Sequence, residues 1–398
     1  MSASLSTAPG HVRKDLVFDV DTYDIEGGDK DQFLAWSRIQ NSTPDLYYSR
    51  YYDGFWVLNR ASDISAVLQD SRRFCSTQGT SIPAIKNVPP FPPLYIDPPT
   101  HQYFRKPLSL ALGGKNPKLL AENALEIVTR LIDDVLDKRR CEFMHDFALH
   151  IPVAIVLSIL DLPFEDRGRL IPYADIITHS SDQEKRDQAI NGVFAYADDW
   201  VSRRRASPGT DLISQLLEVK VEDRSITHQE TTAMVALLLL GGLDSVSHTM
   251  GAMMRSLAER PDLQERFAAE PDLVSTGLNE LFRRHSVNAM ARTVTEDLEL
   301  NGVEMKAGDR VLVAAWLYGL DREKFSSPLD IDLERKPDML AFGTGVHTCV
   351  GMSLARLEVR TLLQEWFRRI PSFRITPGDA PITMTGQTLG TVHLPLSW

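Results

Sequence analysis

Cysteine is scarce in this chain: Cys75, Cys141 and Cys349 are the only three in 398 residues. So few thiols exclude a disulfide scaffold and agree with a reducing compartment. No C-x-x-C and no H-x-x-x-H spacing occurs, so no cysteine has the partners of a tetrahedral zinc site. Long apolar runs are also missing. The longest, at 234–240, falls far short of the roughly 20 residues a membrane span requires. The first residues, MSASLSTAPGHVRKD, hold no apolar signal core, so the expected location is cytoplasmic and no membrane partner is expected. Positive charge is in deficit, and a net charge of −11 argues against nucleic-acid binding. No flavin or nicotinamide fingerprint is present, so the chain cannot collect hydride for itself. Internal repeats and low-complexity tracts are absent as well.

What is present is a chain 43% hydrophobic, long enough for a large core; length alone would allow two or three domains. Residues 31–40 and 61–69 read as helix. Between them, 46–59 is rich in aromatics around Asp53-Gly54 and reads as a β-hairpin. Residues 81–99 contain seven prolines and form a long loop of the kind that is usually functional. The stretch 117–205 is almost wholly helical by periodicity, with breaks at Pro163 and 180–182. Thr227 and Glu230 make a capping box that opens a helical pattern running to Arg260, about 33 residues or about 50 Å. Its middle reads Leu240-Gly241-Gly242-Leu243-Asp244-Ser245. Two glycines there cost about 1 kcal/mol each against alanine and need a reason. A plain kink and a functional opening of the helix are equal readings of the motif taken alone. Residues 273–285 read as helix, with Glu280 and Arg283 on one face, and 290–303 reads as strand.

The most informative stretch is 341–351, AFGTGVHTCVG. Gly343, Gly345 and Gly351 crowd one cysteine, and their freedom at φ > 0 lets backbone N–H groups curl around its sulfur. Cys349 precedes an apolar helical pattern that includes Leu354, Leu357, Leu362 and Trp366, so a helix dipole favours a thiolate. A single axial thiolate suits a haem iron, whereas a buried free cysteine in a glycine loop is the plainer alternative.

The pattern F-x-x-G-x-x-x-C-x-G, carried by Phe342, Gly345, Cys349 and Gly351, resembles the haem-ligand loop of cytochrome P450 monooxygenases. LVFDVDTYD near the start, LLLLGGLDSV, the E-x-x-R segment and the terminal HLPLSW look like the camphor 5-monooxygenase subgroup. The resemblance implies a mainly α fold with a small β region (about 46–60, 290–314 and 373–397), one domain over 1–398, and a long central helix over the haem. It implies haem b, with Cys349 on the iron, Phe342 and Gly241 beside the ring, and His101, Arg105, Arg292 and His347 directed at the propionates. Met290 stands where the camphor-oxidising relative has an aspartate. Asp244 and Ser245 match the acid–alcohol pair that delivers protons; most members have threonine at the second position, and serine predicts a looser relay with more peroxide. Glu280 and Arg283 are a buried structural pair, with Arg335 as a third member.

Carried over in the same way, the substrate pocket is lined by Phe91, Leu94, Thr178, Leu237, Leu240, Ser245, Asn288, Gln387 and Thr388. The tyrosine that holds camphor's carbonyl is missing from 81–94, and Tyr95 lies too close to Asp97-Pro98 to stand in for it. The expected substrate is therefore a small terpenoid ketone of the norisoprenoid or ionone type rather than camphor. Electrons are expected from a two-iron two-sulfur ferredoxin with its flavoprotein reductase, docking near the Cys349 loop on Arg72, Arg73, Arg105 and Lys336. The chain is expected to act as a monomer. Two rivals are a haem-bearing sensor without turnover, which has no need of Asp244 and Ser245, and a peroxide-driven peroxygenase, which usually carries an arginine in the distal helix.

Overall fold

The computed structural model describes residues 5–85, 89–113 and 117–398; residues 86–88 of the proline-rich loop lie outside the described residues. The aromatic hairpin forms as its sequence indicates. Leu46–Ser49 pairs antiparallel with Phe55–Leu58, Leu46 facing Leu58 and Ser49 facing Phe55. The turn places Tyr52, Asp53 and Gly54 at positive φ. Gly54 is required there, because a Cβ would overlap the Tyr48 hydroxyl. Arg310–Ala314 adds parallel to Phe55–Leu58, and Ala289–Val294 and Phe74–Cys75 complete a five-stranded sheet. The expected strand at 290–303 is broken at 295–297 into Ala289–Val294 and Leu298–Leu300, and Asn301-Gly302 then turns the chain to pair Leu298–Leu300 with Val303–Met305. Smaller sheets join Arg140–Glu142, Pro395–Ser397 and Arg374–Ile375, and pair Ile382–Met384 with Gly390–His393.

Helices make up most of the remainder. The 117–205 stretch resolves into Pro117–Leu136, Ile151–Leu160, Arg167–His179 and Gln183–Ala206. The breaks near Pro163 and Ser180 occur where the sequence places them; a further break at 137–150, holding the strand Arg140–Glu142, was not anticipated. The capping box at Thr227 and Glu230 has both of its reciprocal hydrogen bonds. The helix it opens is not continuous. His228–Leu243 ends at Asp244, whose backbone (φ −123°, ψ −64°) leaves the α region, and Ser245–Ala258 resumes. The combined stretch His228–Ala258 is long and apolar enough to cross a membrane by length and composition, but 67% of its apolar window is buried within the protein.

Leu238, Leu239 and Leu243 belong to one hydrophobic cluster and Met250, Met253, Met254 and Leu257 to another, so the broken helix joins two halves of the core. The second cluster also takes in Leu362, Leu363, Trp366 and Phe367 of Met352–Arg369, the helix that follows the Cys349 loop. Glu280 and Arg283 are wholly buried on Leu273–Arg284 and form two hydrogen bonds, 2.7 and 2.8 Å. Arg335 reaches the same carboxylate at 3.2 Å. Arg283 also donates to the carbonyls of Gly319, Pro328 and Asp330, so the pair fastens the segment leading toward the Cys349 loop. Buried charge at this depth is tolerated because every donor has an acceptor.

Candidate active site

A cavity of ≈ 390 Å³ lies between the broken central helix and the Cys349 loop. Phe342, His347 and Cys349 line it from the loop, and Leu237, Leu240, Gly241, Asp244 and Ser245 from the central helices. Arg105, Arg292, Phe91, Leu94, Thr178, Asn288, Gln387 and Thr388 complete the set that the sequence brings here. His101 stands behind this wall, its ring edge-on to His347 at 4.8 Å between centroids.

The Cys349 loop is built by glycine. Gly343 and Gly345 have φ of +66° and +73°, and a Cβ on Gly345 would sit 2.6 Å from the Leu68 carbonyl oxygen. The Cys349 N–H donates to the Phe342 carbonyl at 2.8 Å. The sulfur is exposed, but to the internal cavity. The expected thiolate is not what the loop alone favours. Burial pushes the thiol pKa up, and the Gly351 N–H and the Arg105 charge pull it back only in part. A bound metal cation is what removes such a proton.

The cationic groups beside the loop lack counter-charges. Among the described residues neither Arg105 nor Arg292 has a carboxylate within ion-pair distance. Arg105 donates to the Ser109 hydroxyl at 3.2 Å and Arg292 to the Ala291 carbonyl at 2.9 Å. Burial, offset in part by Asp97, brings Arg292 down to about 10. His101 is buried with no partner at Nε2, and burial followed by the charges of His347 and Arg105 lowers its pKa to about 4. His347 differs from expectation in one respect: its Nε2 bonds Asp97 at 2.7 Å, leaving only Nδ1 free. A thiol on an apolar cavity, rimmed by unpaired guanidinium groups and an unsatisfied imidazole, fits an iron porphyrin whose carboxylates supply the missing partners.

The two glycines of the central helix do different things. A Cβ on Gly241 would meet nothing within 4 Å, so this residue opens the cavity; on Gly242 it would press against Val156 at 2.8 Å, so this residue serves helix packing. Asp244 sits in the helix break. It accepts a hydrogen bond from His248 Nε2 at 3.0 Å, while its Oδ2 is buried without a partner. Burial alone would raise its pKa, but His248, His179 and Thr388 together hold the carboxyl below its ordinary range.

On the substrate side, Asn288 bridges to Thr388, and the Ala289 N–H donates to the Gln387 carbonyl at 2.9 Å. This pairing places three polar side chains in an otherwise apolar wall. The Thr388 hydroxyl donates to Asn288 at 3.3 Å, whereas the Gln387 side-chain oxygen is buried and unpartnered. Tyr95 lines the cavity after all, packed edge-on against Phe91 at 5.3 Å. Burial raises its pKa, and donors on Thr80 and Ser81 lower it in part.

Three further residues were missed in the sequence. His248 lies four residues after Asp244, a spacing that signals a shared helix face. His179 reaches the same acid from another helix, which no local spacing reveals. Glu358 lines the cavity fully buried, and burial pushes it up to about 8. Its signal is an acid midway between Leu354 and Leu362 on the apolar stripe of Met352–Arg369.

Known proteins share this fold. A family model described as cytochrome P450 matches residues 158–396. The probable cytochrome P450 127A1 of Sinorhizobium fredii is 34% identical over 374 residues, 92% of this chain and 90% of its own length. Nocardicin C N-oxygenase of Nocardia uniformis subsp. tsuyamanensis is 31% identical over 361 residues, 87% of this chain and 90% of its own. The crystal structure of CYP101J2 superposes with a TM-score of 0.88 at 33% identity, covering 99% of this chain and all of that one. That of CYP101C1 gives 0.89 at 30% identity, covering 98% and 100%. The mainly α fold with a smaller β region and the closeness to the camphor 5-monooxygenase subgroup are thereby met. With this likeness over nearly its whole length, the chain belongs to the cytochrome P450 family, the haem-thiolate monooxygenases that carry haem b and consume O2.

Proposed function

We propose that this chain hydroxylates a small apolar terpenoid ketone, of the ionone rather than the camphor type, with electrons from a two-iron two-sulfur ferredoxin. The observation that carries this reading is the Gln387 amide beside Asn288 and Thr388 on the cavity: its oxygen is buried without a partner among the described residues, and turned about its terminal bond the same amide presents its N–H2 to a ligand carbonyl. A buried polar atom without a partner favours a ligand that supplies one, and apolar walls favour a hydrocarbon body.

In this reading Cys349 holds the haem iron, and His101, Arg105, Arg292 and the remaining nitrogen of His347 hold its carboxylates. Haem, when bound, activates O2 and supplies the oxygen atom that enters the substrate. Phe342 lines one face of its slot, and the absent side chain of Gly241 leaves room on the other. Asp244 takes a proton at its free Oδ2 and passes it to the Ser245 hydroxyl, which faces the cavity. The apolar wall from Leu237 and Leu240 excludes bulk water from that transfer.

Holoprotein titrated in parallel with an ionone and with camphor tests the substrate class. A complete low-spin to high-spin Soret shift with ionone and little with camphor is expected. Gln387→Ala should weaken the ionone response about tenfold, the loss of about 1.4 kcal/mol. A full shift with camphor, undiminished in Gln387→Ala, would overturn the assignment.

A further inference from the structure

We propose that His179, Asp244 and His248 form a binding site for a divalent transition-metal ion of the zinc class, beside the cavity on the proton-delivery side. One ligand atom from each residue lies within 4.8 Å of the others. Among the described residues His179 Nε2 and Asp244 Oδ2 are both buried without a hydrogen-bond partner, on side chains only 2% and 8% exposed. Two unsatisfied acceptor atoms beside one another are a place for a cation.

The surroundings hold both imidazoles in the orientation metal ligation needs. His179 Nδ1 lies 3.1 Å from Asp175 Oδ1 and 3.1 Å from the Thr178 hydroxyl, which leaves Nε2 with its lone pair. Thr391 presents its carbonyl to His248 Nδ1 at 3.2 Å, with its N–H at the same distance. With Nδ1 turned to that carbonyl, a cation at His248 Nε2 would replace the proton that Nε2 donates to Asp244 Oδ1 at 3.0 Å. An imidazole whose second nitrogen donates to a carboxylate or a carbonyl is the usual companion of a metal. Gly390 keeps the space open, since a Cβ there would lie 2.8 Å from His179 Nε2.

Two nitrogens and one carboxylate select zinc and its neighbours over calcium or magnesium, which take oxygen ligands. Ligands of a tetrahedral zinc site are roughly 3.3 Å apart, so binding draws this set inward by up to about 1.5 Å. Asp244 can supply that movement through its unused oxygen. Occupation would also withdraw the carboxylate from proton delivery. That consequence, unlike binding itself, rests on the role proposed above for Asp244.

Holoprotein cleared of metal with a chelator is titrated with Zn²⁺ by calorimetry, and its zinc content is measured after gel filtration. One zinc per chain is expected. His179→Gln and His248→Asn should each weaken binding at least tenfold, and Asp175→Asn about tenfold through loss of the orienting carboxylate. The exposed pair partner His228→Gln should bind as the parent does. The Soret spectrum of each variant reports whether its haem pocket is intact, and Asp175→Asn, altered at the surface, keeps the test open if a ligand variant does not fold. No retained zinc, or binding unchanged in His179→Gln and Asp175→Asn, would overturn the site. Zinc that binds but leaves product formation unslowed would support the site and count against the role of Asp244.

Discussion

Asp244 combines a hydrogen bond that holds it and an oxygen that nothing uses. Asp244→Asn keeps the shape and loses the proton acceptor, so ferredoxin-supported product formation should fall by about 10²-fold or more while the substrate-induced Soret shift persists. Ser245 has the hydroxyl without the methyl that would restrict its rotation; Ser245→Thr should raise product formed per NAD(P)H consumed, and Ser245→Ala should divert more of it to peroxide. Glu358 gives a pH signature. Burial raises it from 4.5 to about 8, so the folded chain binds one proton more than the unfolded chain between those values. Its contribution to stability is complete below 4.5 and is lost as pH rises to 8, at about 1.4 kcal/mol per pH unit. Glu358→Gln removes this slope, so the difference in urea midpoint between pH 5 and pH 8 should shrink in the variant. An unchanged difference would mean that Glu358 is ionised in the folded protein.

At the scale of the element, the central helix shows why two adjacent glycines need not share a purpose. Gly242 lies against Val156 of Ile151–Leu160, and a methyl there forces the two helices apart. Gly242→Ala should cost about 1–3 kcal/mol by thermal unfolding. Gly241 faces open space, so Gly241→Ala should unfold no earlier, since alanine is favoured in helices by about 1 kcal/mol, yet it narrows the cavity and should weaken the substrate-induced Soret shift. Equal effects of the two substitutions on stability would contradict this division. The helix period and the capping box were plain in the sequence. A plain kink and a functional opening were equal readings of the glycine pair and Asp244, because the choice between them depends on which neighbouring elements claim the Asp244 side chain.

At the scale of the molecule, a net charge of −11 coexists with basic groups around the Cys349 loop. Arg72 is 86% exposed just beyond Ala61–Gln69, the helix against which Gly345 packs, and Lys336 is exposed on the segment that leads toward the loop. Arg73 is tied to Asp70, and Arg105 faces inward, its charge acting on Cys349, so neither is a free docking contact. The double variant Arg72→Ala, Lys336→Ala should slow ferredoxin-supported turnover several-fold at low salt and match the parent at high salt, because exposed charges are screened beyond about 10 Å at 0.1 M. A loss that does not vary with salt would point away from electrostatic docking.

The local motifs were legible because their meaning is complete within a few residues. Glycines around Cys349 permit one loop shape, Thr227 and Glu230 satisfy each other's backbone, and Glu280 meets Arg283 one helical turn away. Membership of the family followed from those patterns together. What the folded chain alone decided is everything that depends on which distant surfaces become neighbours. Gly242 answers to Val156, Phe91 meets Phe194, and His179 comes within 4.8 Å of Asp244 from another helix. Glu358 is held toward its acid form by burial alone. Burial and long-range contact set these outcomes, and neither is written in the spacing of residues along the chain.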